Sequence, residues 1–460
     1  MNFSYLRREP GFYRRVFTLA LPVVLQNLIT TSLGFMDTFM VGLVGQEQMS
    51  AVTVANVPIY IIQLIVFGLQ SGSRVLISQF WGRGDRESIN RVMGIGFFVA
   101  GGISTLCALT MGLFPRQVLM LITDNARLVE LGTSYIRIVG FSYILNSLSS
   151  IYIGMQQSIE NPRFGMTVFA ISTVCNTVGN YILIFGKLGL PALGITGAAI
   201  ATFSSRVVEF VISLVYALHC KQMPLLPACI LRPGKATFRS FVKFSTPVLL
   251  NETLWGTGTS LYTVIMGHMA GSTDLISAYT VAGNIDKMVT VAIFGVAAAA
   301  VIVGKEVGMG GKNAYPIGQA LTFVAFCTGF GVAIAEQLLF WLVLKPHVLP
   351  LFSMTAASAS LCVTMMICYS ISAPLHAFAT TGIVGVLRGG GDVRIAMLID
   401  VLPLWCFTLP LLVLLGLVLH APIAIFCFIM ATESALKVPF GLHRIRSGKW
   451  IHDVTQDLNA

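Results

Sequence analysis

The chain has 460 residues, 55% of them hydrophobic and 10% charged, with a mean hydropathy of +0.82. A soluble chain carries about 25% charged residues, so there is too little polar surface here to cover a globular domain, and a soluble enzyme is excluded. A net charge of +10 would point to nucleic acid in a soluble protein, but the basic residues fall between apolar runs, as a membrane topology requires.

The first apolar run, Val16 to Val41, follows Arg7, Arg8, Arg14 and Arg15. It exceeds the apolar core of about 7–15 residues found in signal peptides, and it contains Asp37, so it reads as a retained first span. Charged, Gly-rich and Pro-rich breaks divide the rest into runs of the length needed to cross the hydrocarbon, about 20 residues. Twelve spans result: 16–41, 51–73, 92–114, 132–154, 165–186, 194–218, 240–266, 277–303, 316–343, 358–385, 395–418 and 422–441. No ten-residue segments alternate with period two, which excludes a β-barrel. The fold class is therefore all-α and integral to the membrane.

Charge orients the spans. With the N-terminus inside, the outer segments hold only Arg116, Arg127, Lys187 and Lys345. Arg74, Arg137, Arg206 and Lys287 lie within spans, and the other 21 of the 29 Lys and Arg fall in inner segments. That bias satisfies the positive-inside rule and predicts two cytoplasmic termini on a multi-pass protein of the inner (plasma) membrane. The nine cysteines form no CxxC pair and read as inert core thiols, not as a disulfide or metal framework.

The longest inner segment, 219–239, holds Pro224, Pro227, Pro233 and Gly234 and reads as a linker. It divides residues 1–218 from 240–441, and 442–460 form a cytoplasmic tail. The halves resemble each other: Leu21-Pro22-Val23-Val24-Leu25-Gln26 matches Thr246-Pro247-Val248-Leu249-Leu250-Asn251. After a two-residue insertion, Ser50-Ala51-Val52-Thr53-Val54-Ala55 matches Ser277-Ala278-Tyr279-Thr280-Val281-Ala282. Six spans per half make the repeats parallel, related by an axis along the membrane normal, as in secondary transporters.

An acid at membrane depth costs a few kcal/mol and marks a functional site by default. At 1.5 Å per residue, Asp37 lies roughly 8 Å from the outer end of span 1, Asn180 about 10 Å from that of span 5, and Thr202 about 12 Å into span 6. Asn176 and Asn180 share one helix face. Together these oxygens suit a small cation, or a proton on Asp37. In the second half, Glu252 and Asp400 lie at membrane depth. With Gln26, Asn27, Asn251 and His376 they form the candidate set for substrate or a second cation. Arg206 with Glu209, and Glu433 with Lys437, have the spacing of helical ion pairs. The Gly389-Gly390-Gly391 run reads as a turn. No Walker, GxGxxG, HExxH or Ser-His-Asp pattern appears, so active transport would be driven by an ion gradient.

Several stretches then resemble the multidrug and toxic compound extrusion (MATE) family. They are Leu21-Pro22 with Gln26-Asn27, Met36-Asp37-Thr38-Phe39-Met40-Val41-Gly42, and Gly194-Ile195-Thr196-Gly197-Ala198-Ala199-Ile200-Ala201-Thr202. Pro247 with Glu252, and Gly385-Val386-Leu387-Arg388-Gly389-Gly390-Gly391-Asp392, belong to the same resemblance. It implies two six-helix lobes in a V that export amphiphilic, often cationic compounds in exchange for Na⁺ or H⁺. The family's first-lobe cation site falls on Asp37, Asn176, Asn180 and Thr202, with Asn180 standing where the family has a second acid. A helix-7 acid of one branch is matched by Glu252, while Ser372 to Phe378 has His376 where that branch has an acid. The reading is a monomeric antiporter, not an enzyme. It needs no cofactor beyond the coupling Na⁺ or H⁺, and its partners are small organic molecules and membrane lipid, with no nucleic acid. A lipid-linked-precursor flippase of the same superfamily is the alternative, and it would line its cavity with several basic residues.

Overall fold

A computed structural model describes residues 10–269, 271–348 and 355–456. They are helical almost throughout, and the one pairing of extended backbone among them is the bridge between Gly391 and Ile451. The first half contributes α1 (Pro10–Gly42), α2 (Gln46–Arg83), α3 (Arg86–Leu113), α4 (Ala126–Ser158), α5 (Pro162–Phe185) and α6 (Gly194–His219). The second contributes α7 (Lys235–Gly267), α8 (Ser272–Ala298, continued by Val301–Gly308), α9 (Ala314–His347), α10 (Ala356–Leu387), α11 (Val393–Val418) and α12 (Ile423–Arg446).

Among the described residues, eleven of these helices are long and apolar enough to cross a membrane. The twelfth, α7, has ample length at 33 residues, but Asn251, Glu252 and a run of Gly, Ser and Thr lower its apolar content. Exposed side chains recur one turn apart, as Val174 and Val178 on α5, Val211 and Val215 on α6, and Phe330 and Ile334 on α9. Such stripes are the faces that lipid covers.

Two compact units emerge. One runs from Leu25 to Leu249; the other comprises Leu250–Gln456 and the chain before Leu25. Each of α1 and α7 therefore gives its first half to one unit and its second half to the other, and each carries a proline, Pro22 or Pro247, just before the change. Within the units, α4 packs on α2, α3 and α6, while its repeat equivalent α10 packs on α8, α9 and α12.

Matched glycines seat the exchanged half-helices. Gly68 of α2 lies against Leu249, and Gly295 of α8 lies against Val24 and the Ala20 carbonyl; neither has room for a Cβ. Leu249 is 225 residues after Val24 and Gly295 is 227 after Gly68, the same offsets at which the sequence motifs repeat. The parallel repeat is thus present in packing as well as in sequence.

Candidate functional site

The Leu25–Leu249 unit gathers Asp37, Asn176, Asn180 and Thr202. Gly179 packs against Ala201, and Gly197 lies against the Leu183 carbonyl without room for a Cβ, so α5 and α6 run in close contact. That contact aligns Asn176 and Asn180 with Thr202, and α1 supplies Asp37. The Asn176 amide reaches Thr202 Oγ1 at 3.4 Å. The Asn180 amide donates to Asn176 Oδ1 at 3.0 Å and to Asp37 Oδ1 at 2.6 Å. Both asparagines are 1% exposed, whereas Asp37 is half-buried. Asn180 Oδ1 is buried and has no hydrogen-bond partner. A vacant amide oxygen beside a carboxylate is a donor set for a hard cation.

Asp37 lies on the wall of a cavity of about 600 Å³, whose lining includes Asn56, Gln63, Tyr135, Tyr143 and Arg206. Gln63 donates to the Tyr143 hydroxyl at 2.6 Å. Arg206 is held by Glu209 at 2.7 Å, and Glu209 is fully buried. Asn146 donates to the other Glu209 oxygen at 3.0 Å. The Arg206 charge is therefore cancelled by Glu209, and Asp37 decides the sign of the cavity wall. Of this lining, the sequence pointed to Asp37, Thr202 and Arg206; the polar groups Asn56, Gln63, Tyr135 and Tyr143 are scattered over α2 and α4.

The six residues proposed for substrate or a second cation do not form one cluster. Glu252 accepts from Arg388 at 2.6 Å, so its cation is a buried arginine of the same unit. Arg388 belongs by sequence to an inner loop, yet it is 3% exposed at the end of α10. Asp400 accepts from Asn251 at 2.7 Å and from Lys437 at 2.8 Å. Lys437 also pairs with Glu433 at 2.6 Å, and Glu433 accepts from the Tyr262 hydroxyl at 2.7 Å. Asp400 is thus the partner of a lysine on α12. His376 makes an edge contact with Phe294. Gln26 and Asn27 belong to the Leu25–Leu249 unit, where Gln26 Oε1 accepts from Gln157 at 3.1 Å and the Asn27 carbonyl accepts from Thr30 at 3.0 Å.

One buried acid escaped the sequence reading. Glu336 lies in α9 and is fully buried, with Ser370 of α10 beside it. The available signal was an acid within an apolar run, nine residues before Lys345. All nine cysteines are free, and no group of three or more His, Cys, Asp or Glu able to hold a metal ion occurs among the described residues.

Comparisons with known proteins bear on this arrangement. Residues 22–182 match the family model MatE. The chain is 24% identical over 315 residues to a Thermotoga maritima protein named "Probable multidrug resistance protein NorM", covering 67% of each chain. It is 26% identical over 415 residues to the multidrug resistance protein MdtK of Edwardsiella ictaluri, covering 88% of each. A solved outward-facing structure of a multidrug resistance MATE family transporter of the MOP superfamily superposes with a TM-score of 0.82. That match covers 97% of this chain and 98% of the other at 17% identity.

Proposed function

We propose that the chain is a member of the multidrug and toxic compound extrusion (MATE) family of membrane transporters, which its similarity to that family supports, and that it is an antiporter with Asp37 as its coupling group. In this reading it exports amphiphilic, often cationic organic compounds in exchange for Na⁺ or H⁺ by alternating access. It resides in the bacterial inner membrane with both termini in the cytoplasm, works as a monomer and needs no cofactor beyond the coupling ion.

The observation that carries the reading is the joined set Asp37–Asn180–Asn176–Thr202 on a cavity wall whose arginine is already neutralised. The coupling ion would seek the Asp37 charge, while the organic compound would occupy the rest of the cavity. Ion binding removes the cost of burying that charge, so the neutral form tolerates a closed, dry cavity and the ionised form favours a hydrated one. A ligand shifts a conformational equilibrium only through such a difference between states. The vacant Asn180 oxygen favours a bound cation at this point, and the half-buried carboxylate offers a proton the same place. A flippase for a pyrophosphate-linked lipid would want unneutralised basic groups in the cavity, and Arg206 is not one of them.

Asp37→Asn keeps the shape of the side chain but cannot titrate. Reconstituted into liposomes, it is expected to bind ethidium while losing export driven by either an imposed Na⁺ or an imposed H⁺ gradient. Wild-type rates under either gradient would place coupling elsewhere.

A further inference from the structure

The linker between the two sequence repeats is folded, and α3 holds it. The Asn90 side chain donates to the Pro224 carbonyl at 3.2 Å and accepts from the Leu226 amide at 3.1 Å. One turn further along α3, Gly94 lies against the Ile230 backbone with no room for a Cβ. Residues Pro227–Leu231 form a short helix there, and α7 begins soon after at Lys235. Contacts of this kind keep the charges of the segment in place.

Those charges are of one sign. Between Glu209 and Glu252 the chain has no acid and five basic residues, Lys221, Arg232, Lys235, Arg239 and Lys243. All five are exposed. Among the described residues, no acid pairs with Lys221, Arg232, Lys235 or Arg239. Other inner segments of the Leu25–Leu249 unit are mixed. Asp85 and Glu87 accompany Arg83, Arg86 and Arg91, with Glu87 3.5 Å from Arg91, and Glu160 precedes Arg163. A positive-inside topology counts basic residues and is nearly indifferent to acids, so it does not explain why this one segment has none.

The spacing on α7 adds a direction. Lys235, Arg239 and Lys243 stand at i, i+4 and i+8 and make one stripe about 12 Å long. Phe238 and Val242 lie beside it and are exposed, as is Leu231 next to Arg232. The opposite face, with Thr237, Ser240, Phe241 and Phe244, is buried. On the topology that the basic bias gives, this end of α7 meets the inner leaflet. There, apolar side chains reach acyl chains while long basic ones reach the phosphates, and clustered basic groups beside a span attract anionic lipid.

We propose that the linker and the start of α7 form a binding site for the headgroup of an anionic phospholipid of the inner leaflet. Arg232, Lys235 and Arg239 hold the headgroup phosphate by charge, and Leu231 and Phe238 enter the acyl region. The Asn90 and Gly94 contacts fix the linker so that both sets of groups face the same leaflet. The site is independent of which ion Asp37 takes and of what the cavity exports.

Thermal unfolding of the purified, full-length protein in neutral detergent, with phospholipid added to the micelles, tests the proposal. Phosphatidylglycerol is expected to raise the melting temperature, and phosphatidylcholine of the same acyl chains is not. Native mass spectrometry should show the matching difference in bound lipid. Arg232→Gln/Lys235→Gln/Arg239→Gln should weaken phosphatidylglycerol binding on the order of 100-fold, from roughly fivefold at each of three charges. If that variant folds poorly, Arg239→Gln alone should still show its fivefold share. Lys312→Gln/Arg446→Gln/Lys449→Gln removes the same charge from the other unit and should bind lipid as the parent does. Equal stabilisation by the two lipids, or undiminished binding in the first two variants, would overturn the proposal. An equal loss in the control would do the same by reducing the effect to net charge. So would inorganic phosphate that reproduces the stabilisation, because the ligand would then be a soluble anion.

Discussion

Lys437 shows how buried charge is balanced in the Leu250–Gln456 unit. Its side chain is 4% exposed, 2.8 Å from Asp400 and 2.6 Å from Glu433. Asn251 and Tyr262 donate to the same two acids, so the cluster is a cation shared by two hydrogen-bonded carboxylates. Removing one member of a buried ion pair costs about 3–5 kcal/mol, because the partner's charge is left uncompensated. Lys437→Met strands two carboxylates and is expected to lose at least that much, seen as a marked fall in melting temperature in detergent. Adding Asp400→Asn and Glu433→Gln to the same chain should recover most of the loss, since the stranded charges are then gone. Recovery would separate charge compensation from mere packing of the lysine stem.

The segment after α12 is an element that no hydropathy pattern announces. Residues 447–456 fold back so that Trp450 is fully buried, with its indole donating to the Ile445 carbonyl at 2.9 Å. The His452 amide donates to the Gly390 carbonyl at 2.7 Å, and Arg444 holds Asp392 at 2.6 Å. The glycine run read from sequence as a turn proves to be the seat of this tail: a Cβ on Gly390 would collide with the Trp450 ring, and Gly391 has a φ of +94°. Trp450→Ala removes a large side chain from a packed core, a change that costs about 3–5 kcal/mol. Thermal unfolding followed by intrinsic fluorescence should show the drop, and Gly390→Ala should lower stability by pushing the same ring out. Equal stability of both variants with the parent chain would reduce the tail to a surface appendage.

Topology is the prediction of the whole molecule. The basic bias puts Lys235, at the start of α7, inside and Thr273, at the start of α8, outside. In a chain whose native cysteines are replaced, a thiol introduced at Thr273 should react with an impermeant reagent added to intact cells, and one at Lys235 should not. The reverse pattern would invert the protein in the membrane. The internal repeat gives the same scale a second regularity, because Gly68 and Gly295 seat equivalent half-helices in their own units.

Membrane class, helix positions and the parallel repeat were legible in the amino-acid order, because each depends on local runs of apolar residues, on breaks between them and on motif spacing. The set Asp37, Asn176, Asn180 and Thr202 was also legible: polar groups are rare in such helices, and i, i+4 spacing fixes a shared face. Which buried charges meet was decided by the tertiary structure. Glu252 and Arg388 are 136 residues apart, and Tyr262 and Glu433 are 171 apart. Glu336 joined no expectation until α10 brought Ser370 beside it. The exchange of half-helices at Val24 and Leu249 and the seating of Trp450 were equally invisible. The reason is physical. In lipid the outward face of a helix is as apolar as the inward one, so hydrophobic periodicity carries no record of how each helix is rotated, and only packing against its neighbours sets which side chains meet.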